Sequence, residues 1–507
     1  MKYCHICGNK IDDDAAFCYS CGAKQTNGPT EPATDTSQHQ TFAQDKAVGQ
    51  KEANGVVSKV KAFESKHNVI TNVIVLVCAI VVLFVALFAP IKVPYYTNAL
   101  YEQDEKEIDI YYTEVDQTIF QMIGALFYFN AGEERAAELN REYYEIVQKA
   151  QVKAARWMSV HPHATTNERN NAHIEFIADG MSDMNYLGYM IATTRAGNNI
   201  DGMLSVEAII TAVFGIAIAL IAIIVAILSL VYIIKSIINL IKKKPQPDLF
   251  KYLCKTLSAS MCGLLLMFCA PMMKAGGNMF IVTLFTAIAI LIAACVGGVL
   301  AGKDHQLVIA KRASVALLSM IAFFILCSNV FAIKNTGGVS LIRTLVPTGF
   351  GLHSILSVVQ FGETAPGVSL MIANMLTGFI LYIVLVLTVT LIGCTMIRAL
   401  RRLAFGGVKA SSVTGCAVAS VVFGIISIVL GLMSATLTGG FYKLFDITSM
   451  EVTVKWLVRA QVWVSVVITL AVTLFGKFFL PNDVVKGKTP QAPQQSEQQP
   501  ESSGTPQ

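Results

Sequence analysis

Eight apolar segments, each long enough to cross a ~30 Å hydrocarbon core, constrain this chain more than any other feature. Their approximate limits are 69–91, 206–234, 253–273, 278–300, 314–333, 369–396, 412–436 and 457–480. Lipid offers no water to backbone N–H and C=O groups, so such segments must be helices that satisfy those groups internally. Composition points the same way: 54 % of the chain is hydrophobic and 14 % charged, against about 25 % charged in a soluble domain. The expected fold class is mainly α, a polytopic helical membrane bundle of about eight transmembrane helices. The lipid bilayer is its first partner.

Charge sets the expected orientation. With the N-terminus inside, the inner loops carry Lys235, Lys242, Lys243, Lys244, Lys251 and Lys255, then Lys303, Lys311 and Arg312, then Arg398, Arg401, Arg402 and Lys409. The tail adds Lys486 and Lys488. The short outer connections carry only Lys274, then Lys334 and Arg343, then Lys443 and Lys455. The excess falls on the inner side at every loop. The chain therefore reads as a multi-pass protein of the cell membrane with both termini cytoplasmic. The first long apolar run begins near Val69, too late for a signal peptide. The net charge of +5 reflects these flanking cations and gives no nucleic-acid stripe.

Between and around the spans, composition divides the chain further. Residues 26–66 form a disordered linker and juxtamembrane segment, rich in Thr, Gln, Ala, Pro and Asp without periodicity as far as Gly55. Val56, Val60 and Phe63 then share a helical face with Lys59, Lys61 and Lys66 nearby. That stretch suits an interfacial helix and the first turns into the membrane equally well. The span 69–91 is the first transmembrane helix. Residues 92–205 fall outside as an extracytoplasmic helical domain, in which acidic residues outnumber basic ones about two to one. Its clearest element runs from Glu133 to Val160, where Ala136, Leu139, Tyr143, Ile146, Ala150, Ala154 and Trp157 recur at three-to-four spacing. Further helices are expected over Thr113–Phe129 and Ile174–Ala192, with a strand near Ile108–Tyr112. Residues 206–480 form a seven-helix membrane bundle, and 481–507 a disordered tail rich in Gln, Pro and Ser.

The N-terminus carries the one motif with specific chemistry. Cys4-x-x-Cys7-Gly8 is followed by Cys18-x-x-Cys21-Gly22, with ten residues between Cys7 and Cys18. Two Cys-x-x-Cys turns supply four thiolates, which suit tetrahedral Zn²⁺. Glycine after each second Cys suits the left-handed turn that aims backbone amides at sulfur. Ile11 and Phe17 provide a small apolar plug. A module of about 25 residues cannot fold by burial alone, so metal binding would be its folding energy. With four sulfurs and no open position, the zinc reads as structural. The segment Met1–Lys24 resembles the short N-terminal zinc ribbon found on many bacterial and archaeal membrane proteins. The resemblance covers residues 1–25 only and implies a zinc-binding cytoplasmic module, with Cys4, Cys7, Cys18 and Cys21 as ligands.

Other constellations are weaker. His161, His163, Glu168, His173 and Glu175 cluster in sequence, but without the spacing that sets two ligands on one helical face. Small residues stripe segment two (Ala208, Ala212, Gly215, Ala219, Ala222, Ala226, Ser229, Ser236) and segment seven (Ser420, Gly424, Ser427, Gly431, Ser434). They suit internal packing foremost, or a moving or dimerising interface. No acidic residue lies mid-membrane, which argues against an ion-coupled carrier using a buried carboxylate. No P-loop or GxSxG elbow occurs, and no catalytic residue is expected. The sequence thus describes a non-enzymatic membrane protein whose ribbon serves interaction with a cytoplasmic partner or self-association. The alternative is a transporter or channel for a neutral or lipid-like solute.

Overall fold

A computed structural model describes residues 2–3, 10–11, 68–98, 110–195, 202–244, 249–270, 273, 276–301, 303–327, 331–335, 367–406, 408–447 and 454–480. The chain divides into two compact units, Met1–Lys51 and Glu52–Gln507. The expected linker from residue 26 to 66 and the tail from 481 lie outside the described residues. In the first unit β1 (Lys2–Tyr3) and β2 (Lys10–Ile11) pair antiparallel, Lys2 opposite Ile11 and Tyr3 opposite Lys10.

The second unit begins with α1 (Asn68–Phe88), which leads into the hairpin of β3 (Ile91–Asn98) and β4 (Ile110–Gln117). Next come α2 (Ile119–Gly124), a 3-10 turn (Ala125–Asn130), α3 (Glu133–Val160), α4 (Thr166–Asp183) and α5 (Tyr186–Arg195). The long helices α6 (Gly202–Ile241), α7 (Leu249–Cys269), α8 (Gly277–Ala301) and α9 (Lys303–Leu326) follow. The chain continues through β5 (Phe331–Asn335), α10 (Gly367–Phe405), α11 (Ala410–Leu432), α12 (Ser434–Leu444), β6 (Val454–Val458) and α13 (Ala460–Phe479).

Among the described residues eight helices are long and apolar enough to cross a membrane: α1, α6, α7, α8, α9, α10, α11 and α13. They match the eight apolar segments in order. Two expected ends differ. The apolar run 314–333 leaves helix before Phe331, where β5 starts, and the run 457–480 opens inside β6. Both ends are continuous apolar stretches, in which hydrophobicity alone does not separate strand from helix. The short helix α12 has no counterpart in the sequence reading.

The eight helices form two rings of four, each closed in chain order. α1 packs on α6, α6 on α7, α7 on α8, and α8 returns to α1. Likewise α9 packs on α10, α10 on α11, α11 on α13, and α13 returns to α9. The rings meet through α8 with α9 and through α10 with α7 and α8. Each carries a ribbon at the same end, which we call the ribbon end: β3 continues α1 there, and β5 continues α9 to pair with β6. At that end the Asn278 N–H donates to the Pro90 carbonyl (3.1 Å). At the opposite end the Asn72 amide donates to the Lys244 carbonyl (3.3 Å).

Both small-residue stripes are buried within the rings. On α6, Ala212, Ala219, Ala222, Ala226, Ser229 and Ser236 are inaccessible or nearly so; the Ala208 side chain lies outside the described residues. On α11, a Cβ at Gly424 would stand 2.3 Å from Val466 Cγ2, and one at Gly431 2.5 Å from Val458 Cγ2. These positions are close approaches, of α13 at Gly424 and of β6 at Gly431, made where lipid supplies no hydrophobic drive and van der Waals contact must.

The helical domain stands on the first ring, with α2 and α5 packed against α6. Helix α3 occupies the expected Glu133–Val160, with Glu133 and Glu134 at the positive end of its dipole and Ala136, Leu139, Ala150 and Ala154 buried. The helix expected over Thr113–Phe129 is corrected: residues up to Gln117 are strand, and helix starts only at Ile119. Period-two burial explains it, since Ile91, Val93, Tyr95, Val115 and Gln117 face inward while Lys92 pairs with Glu114 (3.1 Å) and Asp116 (3.5 Å). Thr118 then opens α2 with a capping box to Gln121. The single helix expected over Ile174–Ala192 is two, broken after Asp183. The break is stabilised from a distance. The buried Gln117 amide donates to the Met184 (3.1 Å) and Met181 (3.4 Å) carbonyls and accepts from the Tyr186 N–H (3.1 Å), while Gln121 donates to the Ser182 carbonyl (2.8 Å).

Candidate functional site

The expected metal ligands Cys4, Cys7, Cys18 and Cys21 lie outside the described residues. The strands beside them are informative all the same. β1 and β2 pair antiparallel, and Cys4 and Cys7 fall between them in the sequence. The donor set of four sulfurs suits Zn²⁺ above harder cations.

In the domain, the structure disperses the histidine and carboxylate cluster. His161 ends α3, its ring stacked on Trp157 at 4.4 Å and its Nδ1 3.0 Å from the Trp157 carbonyl. Glu168 closes the capping box of α4, accepting from the Thr165 N–H (2.7 Å) and hydroxyl (2.9 Å). Those two bonds, the backbone one foremost, hold its pKa below the ordinary carboxylate value. His173 is buried on α4, and burial pushes its pKa down. Among the described residues no three His, Cys, Asp or Glu side chains converge on a metal position. An aromatic cluster holds the middle of the domain instead: Tyr95 and Tyr143 share a hydrogen bond (3.1 Å), and Tyr143 stacks on Tyr189 at 5.1 Å. Burial raises the Tyr189 pKa.

The ring interiors carry hydroxyls, not charges. None of the eight spans contains Asp or Glu. Ser229 meets Tyr252 (2.9 Å), Thr283 meets Ser260 (3.0 Å), Thr377 meets Thr438 (2.9 Å), and Ser465 donates to the Ala322 carbonyl (2.8 Å). Tyr382 of the second ring donates to the Phe268 carbonyl of the first (3.0 Å). Each pair satisfies buried polar groups and ties two helices together. The side chain of Asn374, a polar residue within the apolar run 369–396, lies outside the described residues.

Charge separates by end. Every acidic side chain that the structure describes lies toward the ribbon end: Glu114, Asp116, those of α3 and α4, and Asp446. At the other end the described charged side chains are cationic. Arg402 is buried there and donates to the Val408 and Leu480 carbonyls, and Arg401 reaches Ser258 (2.9 Å). Sequence reasoning missed this clamp, because nothing in the order of residues brings the α10 and α13 ends together.

Among the described residues, eight helices long and apolar enough to cross a membrane, with one cap of mixed charge and the other cationic, define the architecture of a multi-pass helical membrane protein. No protein-family model matches the chain, and no curated protein or solved structure matches it.

Proposed function

We propose that this chain is a non-enzymatic integral membrane protein whose N-terminal ribbon holds structural Zn²⁺ on Cys4, Cys7, Cys18 and Cys21 and docks a cytoplasmic protein partner or a second copy of the chain. The observation that supports the reading is the antiparallel pairing of β1 with β2, the strands that flank the first cysteine pair in the sequence. The confinement of the described acids to the ribbon end, leaving only cations among the described charged side chains of the other, supports an orientation with that basic end, and both termini, in the cytoplasm of a cell-membrane protein. In that orientation the helical domain is extracytoplasmic. The reduced cytoplasm keeps thiolates available for zinc.

The test is purification of the full chain from its native membrane beside a Cys18→Ser variant, with zinc and co-purifying proteins quantified. Bound zinc near one per chain, lost together with a specific partner or with self-association in the variant, is the expected result. Zinc absent from the unaltered chain overturns the ribbon reading.

A second reading is a transporter or channel for a neutral or lipid-like solute. It draws on the two rings in like orientation, an arrangement of parallel repeats in which carriers place a pathway between halves. Solute flux into liposomes that survives ribbon deletion would favour it.

A further inference from the structure

The helical domain exposes an apolar edge at an unusual height. Within Ile119–Asn130, Ile119, Met122 and Ala125 are buried, while Phe120 is 63 % and Phe127 81 % exposed, with Leu126 beside them. Met122 fixes the position of this edge. A Cβ at Gly215, inside the apolar span of α6, would stand 3.3 Å from Met122 Sδ and 3.3 Å from Met273 Cε. Met273 belongs to the turn between α7 and α8. The segment therefore lies level with the ends of the spans. On α6 itself Val213, two residues before Gly215, is also exposed.

Beside Phe127 lies an open cleft of about 340 Å³, lined by Gly124, Phe127, Tyr128, Ala131, Arg135 and Asn185. The Arg135 guanidinium stands 5.7 Å over the Tyr128 ring and pairs with Glu138. Gly188 lets Tyr128 lie flat on α5, since a Cβ there would stand 2.5 Å from the ring. The cation is thus held at the cleft, with apolar surface on the adjoining side.

We propose that Ile119–Asn130 inserts Phe120, Leu126 and Phe127 into one membrane leaflet, and that Arg135 receives the phosphate of a phospholipid whose chain runs beside Phe127. The inference rests on the reading that the eight helices cross a bilayer. Amphipathic segments at the headgroup level bury aromatic side chains in lipid, and the planar guanidinium fork matches a phosphodiester. Glu138 leaves part of the fork's five donors free for that contact.

The experiment uses the full chain in liposomes of ordinary or brominated phosphatidylcholine, with tryptophan emission read for the unaltered protein and for Phe127→Trp. Of the native tryptophans, Trp157 lies on α3 of the domain and Trp456 is fully buried, so the lipid-quenched fraction of the unaltered chain's emission comes from Trp463, 45 % exposed on α13, and reports whether the spans are in lipid. The expected result is quenching of both Trp463 and the added indole. Quenching of Trp463 alone, with the added indole open to aqueous iodide, overturns this proposal and leaves the membrane reading standing. If neither is quenched, both fall. For the headgroup, phospholipid retained through detergent exchange is compared between the unaltered chain and Arg135→Gln. Retention is expected to fall about tenfold, the effect of losing one charge-assisted contact. Equal retention overturns the role of Arg135, and dimers forming through an unquenched edge would show a protein interface instead.

Discussion

The two four-helix rings use the same device, glycine at a close approach, against different neighbours. At Gly263 and Gly215 of the first ring the neighbours are methionines, whereas Gly298 of α8 faces Ile309 of the second ring at 2.7 Å. A Cβ at Gly263 would meet Met279 at 2.8 Å, and one at Gly215 would meet Met122 and Met273. Methionine has three soft torsions and can move aside. In the second ring the neighbours are stiff: Gly378 faces the Trp456 ring at 2.4 Å, Gly424 faces Val466, and Gly431 faces Val458. Trp456 is fully buried, and its backbone is held on both sides by Ser434, whose hydroxyl donates to the Trp456 carbonyl (3.0 Å) and accepts from its N–H (3.2 Å). The first ring is therefore adaptable and the second interlocked. The first ring has one rigid point of its own. Gly277, with φ of 65°, lies so close to β3 that a Cβ would stand 2.0 Å from the Pro90 carbonyl oxygen.

That contrast can be broken by substitution. Gly277→Ala should have the largest effect, because it combines a left-handed backbone with a clash against main chain that cannot rotate away. A loss of about 3 kcal/mol is expected, read as a drop in thermal stability of the detergent-solubilised chain. Gly378→Ala should cost about 2 kcal/mol, since Trp456 has nowhere to turn. Gly263→Ala should cost under about 1 kcal/mol, because Met279 can yield. Equal losses at Gly378 and Gly263 would erase the distinction between the rings.

Acid response sharpens the comparison. Neither ring contains a carboxylate in its spans, so pH sensitivity near neutrality should arise in the domain that stands on the first ring. Burial depresses the His173 pKa, and the fold favours its neutral ring. The unfolded chain takes up that proton as pH falls through about 6.5, whereas the folded chain does not. This contribution is complete above that pH and is lost below it. His173→Gln should flatten the dependence of unfolding temperature on pH between about 7 and 5. An unchanged slope would place the sensitivity elsewhere. The smallest effect is expected from Thr165→Ala, which removes the α4 cap at a cost of about 1 kcal/mol. Faster amide exchange confined to the first turn of α4 would show it.

Much of this architecture was legible because the physics behind it is local in sequence. A run of about 20 apolar residues must be helical in lipid, and the eight spans followed from that. The bounds of α3 were equally legible, since a charged amphipathic helix carries its period along its whole length. The strand β4 and the break between α4 and α5 were not. Both depend on Gln117, whose amide and carbonyl are satisfied by Met181, Met184 and Tyr186, some 65 residues away. The candidate zinc ligands were visible as spacing alone, and the β1–β2 pairing adds only the strands that bracket the first pair.

The sequence by itself determined that the chain holds eight membrane-length helices, where its charges change side, and which four sulfurs could share a metal. Each of these is written in the order of neighbouring residues. Only the tertiary structure decided that the helices close into two rings in chain order, that Trp456 keys the second ring through Gly378, and that Phe120 and Phe127 lie level with the span ends. Those facts belong to contacts between residues far apart in the chain, and no local pattern records which distant surfaces will meet.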